Sequence, residues 1–140
     1  MKKLISSGGV IINKDKVLLL KRDKSWVFPK GKLKENENIV QAARREIFEE
    51  AGINVNEPIC CLGITKYKYK KNSELFYKEV NYFLFITEDL DVIIEKSFIG
   101  FGWFYFNEAL KFITYKNDKR ILKIAIKKLR EANLPPLIEK

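Results

Sequence analysis

Glu46, Glu49 and Glu50 lie within the run Arg44-Arg45-Glu46-Ile47-Phe48-Glu49-Glu50. On a helix at about 100° per residue, with Glu46 at zero, Glu49 falls near 300° and Glu50 near 40°. The three carboxylates then share an arc of roughly 100°. Val40, Ala43, Ile47, Phe48 and Ala51 fall between about 60° and 200°, the side expected to face a core. Like charges on adjacent turns repel by roughly 0.2–0.5 kcal/mol per pair when exposed, and by more when partly buried. The chain carries 27 Lys plus Arg against 18 Asp plus Glu, a net charge of +9, so gathering acid in one place needs a cause. A hard divalent cation is one: Mg²⁺ takes carboxylate oxygens, keeps several waters and bridges phosphates. Such an ion activates water and offsets charge on a phosphoryl group. Phosphoryl chemistry depends on positioning and charge compensation more than on a protein nucleophile. The bland alternative is a solvated helix face on which Arg44 and Arg45 pair with the glutamates.

Composition removes other chemistries. With no His among 140 residues, a Ser-His-Asp triad, a His general base and a His-ligated zinc are excluded. The only cysteines, Cys60 and Cys61, are adjacent, too few for zinc and poorly placed for an unstrained disulfide. They read as small hydrophobes in or beside a strand, in a reducing, cytoplasmic setting. No apolar run approaches the ~20 residues of a membrane span, and the N-terminus reaches Ser6-Ser7-Gly8-Gly9 too soon for a signal sequence. A membrane partner is therefore not expected. Hydrophobic residues at 46% and aromatics at 13% exclude wholesale disorder. The length predicts one domain spanning 1–140. The positive charge suits a phosphate chain or a nucleic acid, although the lysines are scattered and match no recognised RNA-binding motif. Nothing in the pattern signals an oligomeric state.

The elements that must position the acids follow from periodicity. Residues 3–13 and 17–22 read as a hairpin about the turn Asn13-Lys14-Asp15-Lys16, and 23–37 as a loop. Asn38 is a fair N-cap for a helix over 39–51, which Gly52 would stop. Strands are expected at 59–70, 76–87 and 100–106, the first two separated by the turn signal Lys71-Asn72-Ser73. Asn107 and Asn117 could cap a short helix and a longer one over 118–132, ended by Pro135-Pro136. Strands mixed with one early and one late helix predict an α/β fold, a sheet packed between helices.

Gly31, Glu37, Arg45, Glu46, Ile47, Glu49, Glu50, Gly52 and Ile53 occupy every fixed position of the Nudix box: Gly, five residues, Glu, seven residues, Arg-Glu, an aliphatic, any residue, Glu-Glu, any residue, Gly, an aliphatic. The chain thus resembles the Nudix hydrolases, and its strand order extends the likeness over nearly its whole length. That resemblance implies the family's α/β/α sandwich, with a mixed β-sheet between helices. It implies hydrolysis, dependent on Mg²⁺ or Mn²⁺, of a phosphoanhydride in a nucleoside polyphosphate. Carried over by position, Glu49, Glu50 and the main-chain carbonyl of Lys30 look like metal ligands. Glu46 looks like a ligand or the general base. Glu37 and Arg45 look like a structural ion pair, and Gly31 and Gly52 like backbone requirements.

Three segments resemble one branch, the asymmetric diadenosine tetraphosphate (Ap4A) hydrolases: Ser6-Ser7-Gly8-Gly9-Val10-Ile11, Trp26-Val27-Phe28-Pro29-Lys30-Gly31 and Lys78-Glu79-Val80-Asn81-Tyr82-Phe83-Leu84. Lys78, Val80 and Tyr82 share one sheet face at i, i+2, i+4. A cation and an aromatic there suit a polyphosphate with a base attached. Lys30, Lys32 and Lys78 are the expected phosphate contacts, and Tyr82 and Tyr115 the expected base-stacking rings. The branch often has His after Pro-Lys-Gly, where this chain has Lys32. Many relatives also place a Glu where this chain has Ser97, which leaves Glu95 as a further catalytic candidate if the loop slips by two residues; otherwise Glu46 or Glu50 must handle the attacking water. Ap4A cleavage to ATP and AMP leads. An RNA 5′-pyrophosphohydrolase, an NTP pyrophosphatase and a non-enzymatic nucleotide-sensing module are the alternatives. Retention of Glu37, Glu46, Glu49 and Glu50 favours an enzyme over a binding module.

Overall fold

The computed structural model describes residues 2–138, with side chains through residue 132. These form seven strands and three helices: β1 (Lys2–Asn13), β2 (Lys16–Arg22), β3 (Ser25–Val27), β4 (Lys30–Lys32), α1 (Ile39–Ala51), β5 (Cys60–Lys71), β6 (Glu74–Ile86), β7 (Gly100–Tyr105), α2 (Phe106–Phe112) and α3 (Lys116–Ile138). The sheet runs β3-β2-β1-β6-β5, with β4 on β1 and β7 on β2. It is mixed, because β1 and β6 are parallel while the other pairs are antiparallel.

Alternation along the strands divides the apolar side chains between two cores. Ile11, Leu18, Leu20, Phe83 and Phe85 face α1, where Ala43, Ile47 and Ala51 close the layer. Val10, Leu19, Val80, Tyr82 and Leu84 face α2 and α3, against Ala109, Ile121, Leu122 and Ala125. The α/β/α arrangement read from the sequence is therefore present.

The differences are local. The expected loop at 23–37 contains β3 and β4, short strands that pair with β2 and β1. Helix α2 begins at Phe106 and α3 at Lys116, so Asn107 and Asn117 lie inside helices rather than capping them. Helix α3 also runs past Pro135-Pro136, where an end is expected. On α1, Phe48 is 51% exposed whereas Ala42 is fully buried. The buried arc is thus turned away from Phe48, toward Glu50.

Candidate active site

Helix α1 begins and ends as its sequence dictates. The Asn38 side chain accepts from the Gln41 N–H at 2.8 Å, and Gln41 Oε1 accepts from the Asn38 N–H at 2.9 Å. Gly52 ends the helix in the left-handed region at φ 72°, its N–H donating to the Phe48 carbonyl. Gly31 on β4 lies against the Glu46 carboxyl group, and a Cβ there would overlap it. That close approach is a physical reason for glycine at this position.

Arg45 ties strand β4, the following loop and α1 together. It binds Glu37 bidentately, Nε to Oε2 at 2.7 Å and Nη2 to Oε1 at 2.9 Å. It also donates to Glu46 Oε1 at 2.7 Å, Glu49 Oε2 at 3.0 Å and the Lys32 carbonyl at 2.8 Å. The Arg45 side chain lowers the Glu37 carboxyl below its ordinary value. Burial raises Glu46 above its own, although Arg45 opposes it.

Glu50 differs from its neighbours in being buried, at 6% exposure. Its Oε1 accepts from the Lys30 N–H at 2.9 Å, and Arg22 stands 3.8 Å from Oε2. Burial, with a smaller contribution from the Glu46 charge, pushes its carboxyl up to about 7. The Lys30 N–H is free for Glu50 because of register. Gly9 donates to the Pro29 carbonyl and Leu33 to the Ile5 carbonyl, so residue 30 stands at a non-hydrogen-bonded position opposite Gly8. The Lys30 carbonyl therefore faces away from β1 as well, on the same side as the amide that meets Glu50.

No three carboxylates among the described residues converge into a ready-made cluster, because Arg45 engages Glu46 and Glu49. Glu46 Oε2, Glu49 Oε1 and Glu50 Oε2 nonetheless remain without a hydrogen bond among the described residues. These oxygens and the Lys30 carbonyl of β4 are hard oxygen donors, the chemistry that suits Mg²⁺ or Mn²⁺. Glu95 is exposed, but its N–H donates to the Glu50 carbonyl at 3.1 Å, and its charge raises both Glu46 and Glu50. Ser97 donates to Glu95 Oε1 at 2.7 Å. Glu95 therefore stands within electrostatic reach of Glu46 and Glu50.

Glu50 also lines a cavity of about 570 Å³, with Arg22, Lys30, Lys78 and Lys116 as its cations and Tyr67 and Tyr115 among its aromatic walls. Burial, with the charges of Lys32 and Arg22, lowers Lys78 below its ordinary value. Cations crowded in this way suit an anionic ligand. The Tyr115 hydroxyl lies 3.2 Å from Ser25 Oγ, and the ring is 52% exposed. Lys32 is exposed and does not line the cavity.

Tyr82 requires a correction. The sequence places it as a base-stacking ring, but it is fully buried, edge-on to Phe28 at 5.8 Å, with its hydroxyl donating to Asp118 Oδ1 at 3.3 Å. Its side of the sheet is as expected; its depth is not, because α3 covers that part of the face. Tyr67, opposite Lys78 on β5, presents the exposed ring instead. The register was available from the sequence. A two-residue turn at Asn72-Ser73, both at positive φ, pairs Lys71 with Glu74 and hence Tyr67 with Lys78. Arg22, Phe98 and Asp118 also line the cavity, and no local motif marks them. Tyr82→Ala should lower stability by about 3–5 kcal/mol through cavity formation, read as a large drop in melting temperature. A variant that melts normally but shows a raised KM would restore the stacking role.

The metal-free protein should lose stability as pH rises. Glu50 has its ordinary value at 4.5 and a folded value of about 7. Between those limits the folded state holds a proton that the unfolded chain has released, so stability falls with rising pH. The loss through Glu50 is on the order of 3 kcal/mol by pH 8. Glu46 and Asp118, also raised, act in the same sense. Glu37, lowered, acts only below its ordinary value and does not offset this. Urea titrations in EDTA from pH 5 to 8 check the slope; a flat or rising profile would mean that Glu50 carries no burial penalty.

The fold is an α/β/α sandwich with an acidic ridge on α1 beside a cation-lined cavity. The chain belongs to the Nudix family, whose domain model matches residues 2–123. An 8-oxo-dGTP diphosphatase of Buchnera aphidicola (subsp. Schizaphis graminum) is 31% identical over 114 residues, covering 76% of this chain and 80% of the relative. An RNA pyrophosphohydrolase of Actinobacillus pleuropneumoniae is 30% identical over 158 aligned positions, covering 95% of this chain and 76% of the relative. A C. elegans Ap4A hydrolase, solved as a binary complex, matches with a TM-score of 0.70 at 24% identity, covering 91% of this chain and 98% of its own. That structural likeness bears on the fold alone. No helix among the described residues is long and apolar enough to cross a membrane.

Proposed function

We propose that this chain hydrolyses a phosphoanhydride bond of a nucleoside polyphosphate by water attack on phosphorus, with a divalent cation held on the α1 ridge. Glu49, Glu50 and the Lys30 carbonyl would hold Mg²⁺ or Mn²⁺, with Glu46 as a further ligand. A bound ion supplies charge neutralisation at the phosphates and a more acidic water. Glu46 or Glu95 would take the proton of the attacking water. Glu50, its carboxyl near 7 without metal, shares that candidacy. Lys30, Lys78 and Arg22 compensate phosphate charge, Lys32 adds to the field from outside the cavity, and Tyr67 and Tyr115 offer ring faces to a base. Glu37, Arg45, Gly31 and Gly52 hold the scaffold. The carrying observation is the one ridge on which three glutamate oxygens lack a hydrogen bond among the described residues, beside a cation-lined, ring-walled cavity.

The finer substrate has two supported readings. The Trp26–Gly31 segment and Tyr115 support Ap4A cleavage to ATP and AMP; the burial of Tyr82 removes one support for it. The likeness to an RNA pyrophosphohydrolase and the net charge of +9 support a 5′-triphosphorylated RNA end. A panel of Ap4A, 8-oxo-dGTP, GTP and 5′-triphosphorylated RNA, assayed with Mg²⁺ and with Mn²⁺ in ¹⁸O-water, tests the proposal. Labelled phosphate-containing product from at least one member is expected. Binding without cleavage of every member would identify a sensor instead.

A further inference from the structure

We infer that the aromatic face of the β5–β6 hairpin prolongs the cavity into a track for a single-stranded oligonucleotide whose 5′ nucleotide occupies the cavity. This rests on the nucleoside polyphosphate reading above and narrows it to a substrate class. Antiparallel register sets Tyr67 opposite Lys78 and Tyr69 opposite Phe76. Tyr67 and Lys78 line the cavity. Tyr69 and Phe76 are the next pair outward, each two residues along its strand and therefore on the same face. Their rings stack, with centroids 5.2 Å apart and planes 11° from parallel, and Tyr69 continues to Tyr67 at 6.5 Å. Neither ring belongs to the two hydrophobic cores.

Cations accompany the rings. Lys30 and Lys78 lie 6.0 and 5.7 Å from the Tyr67 centroid, and Lys2, beside Phe76 on the parallel strand β1, lies 5.9 Å from that ring. Lys2 also pairs with Glu74 at 3.2 Å, the carboxylate at the hairpin tip. Lysines alone would be explained by protection of the edge strand β5, and Lys66, Lys68 and Lys70 point to the other face for that. Edge protection gives no reason for three aromatic rings on the face continuous with the cavity. Rings in series with lysines between them are the arrangement that binds bases by stacking and phosphates by charge.

The test compares a 5′-triphosphorylated mononucleotide with 5′-triphosphorylated hexanucleotides, ribo and deoxy, on the intact chain with Mg²⁺. The expected result is a KM roughly tenfold lower for a hexamer. Tyr69→Ala with Phe76→Ala should remove that gain and leave mononucleotide kinetics unchanged. Lys2→Gln, a surface change with little folding risk, should reduce the salt slope of hexamer binding by about 1. The deoxy arm shows whether the track requires the 2′-hydroxyl. A KM independent of length, with the mononucleotide still cleaved, overturns the track and leaves the reading above standing. If no member is cleaved, that reading falls. Anisotropy of a 3′-labelled, 5′-monophosphorylated hexamer in EDTA then decides the track, and equal affinity for wild type and the double variant overturns it.

Discussion

Glu50→Gln should abolish turnover and, in the metal-free protein, raise the melting temperature. The two effects have one cause. The Glu50 carboxylate is buried at 6% exposure, and its direct compensation is a single N–H from Lys30 and an Arg22 guanidinium 3.8 Å away. Gln keeps an oxygen for the Lys30 N–H and removes the buried charge. At pH 8 the gain should be about 2 kcal/mol, or several degrees in Tm for a chain of this size. Activity should fall roughly a thousandfold or more, because the carboxylate is the part the substituent lacks. Added Mg²⁺ should raise the Tm of the parent, through binding to the folded state, and leave that of the variant nearly unchanged. Calorimetry with and without the ion, beside a turnover assay, checks all three. Retained turnover would remove Glu50 from the ligand set. A lowered Tm would mean that its charge is already compensated.

The destabilised glutamate also marks where sequence reasoning reached its limit. The spacing from Gly31 to Ile53 was enough to read the helix and its acid ridge, because box positions map onto a helix through a constant angle. That mapping needs the direction of the core, which the sequence takes from its apolar residues. Counting Phe48 as core puts Glu50 at the edge of the buried arc. With Phe48 exposed and Ala42 buried, the arc centres close to Glu50. Small residues allow the close approach of helix to sheet, and a large aromatic at the margin misleads the count.

Tyr82 illustrates a second limit. Period-two alternation gives the face of a strand residue but not its depth, which depends on where α3 lies across the sheet. The same strand carries Lys78 into the cavity and Tyr82 beneath the helix, four residues apart. Arg22, Phe98 and Asp118 reach the cavity from β2, the segment before β7 and α3. Their meeting is a property of the assembled sheet, so no window of sequence contains it. The Glu37–Arg45 pair was legible only through the resemblance to the Nudix box, which holds both partners in one loop-helix unit.

That pair supports the second large expectation: Arg45→Met should cost stability and activity together. The Arg45 guanidinium serves three carboxylates and one carbonyl, and the Glu37 and Glu46 side chains are only 12% and 13% exposed. Without it, two largely buried carboxylates lose their cation, and the Lys32 carbonyl loses a donor. The expected loss is about 3 kcal/mol, on the order of 10 °C in Tm. Arg45→Lys should recover less than half of this, since an ammonium cannot bind Glu37 bidentately while reaching Glu46 and Glu49. In the double variant Arg45→Met with Glu37→Gln, part of the loss should return, because one of the stranded charges is gone. Turnover should fall roughly a hundredfold in Arg45→Met even below its melting range, because the β4 loop that carries Lys30 is no longer tied to the helix that carries Glu49 and Glu50. Denaturation curves for the four proteins, with kcat measured at a temperature where all are folded, check both effects. Full stability in Arg45→Met would show that the network is ornamental. Normal kcat in a destabilised variant would show that the ridge is positioned by the helix alone.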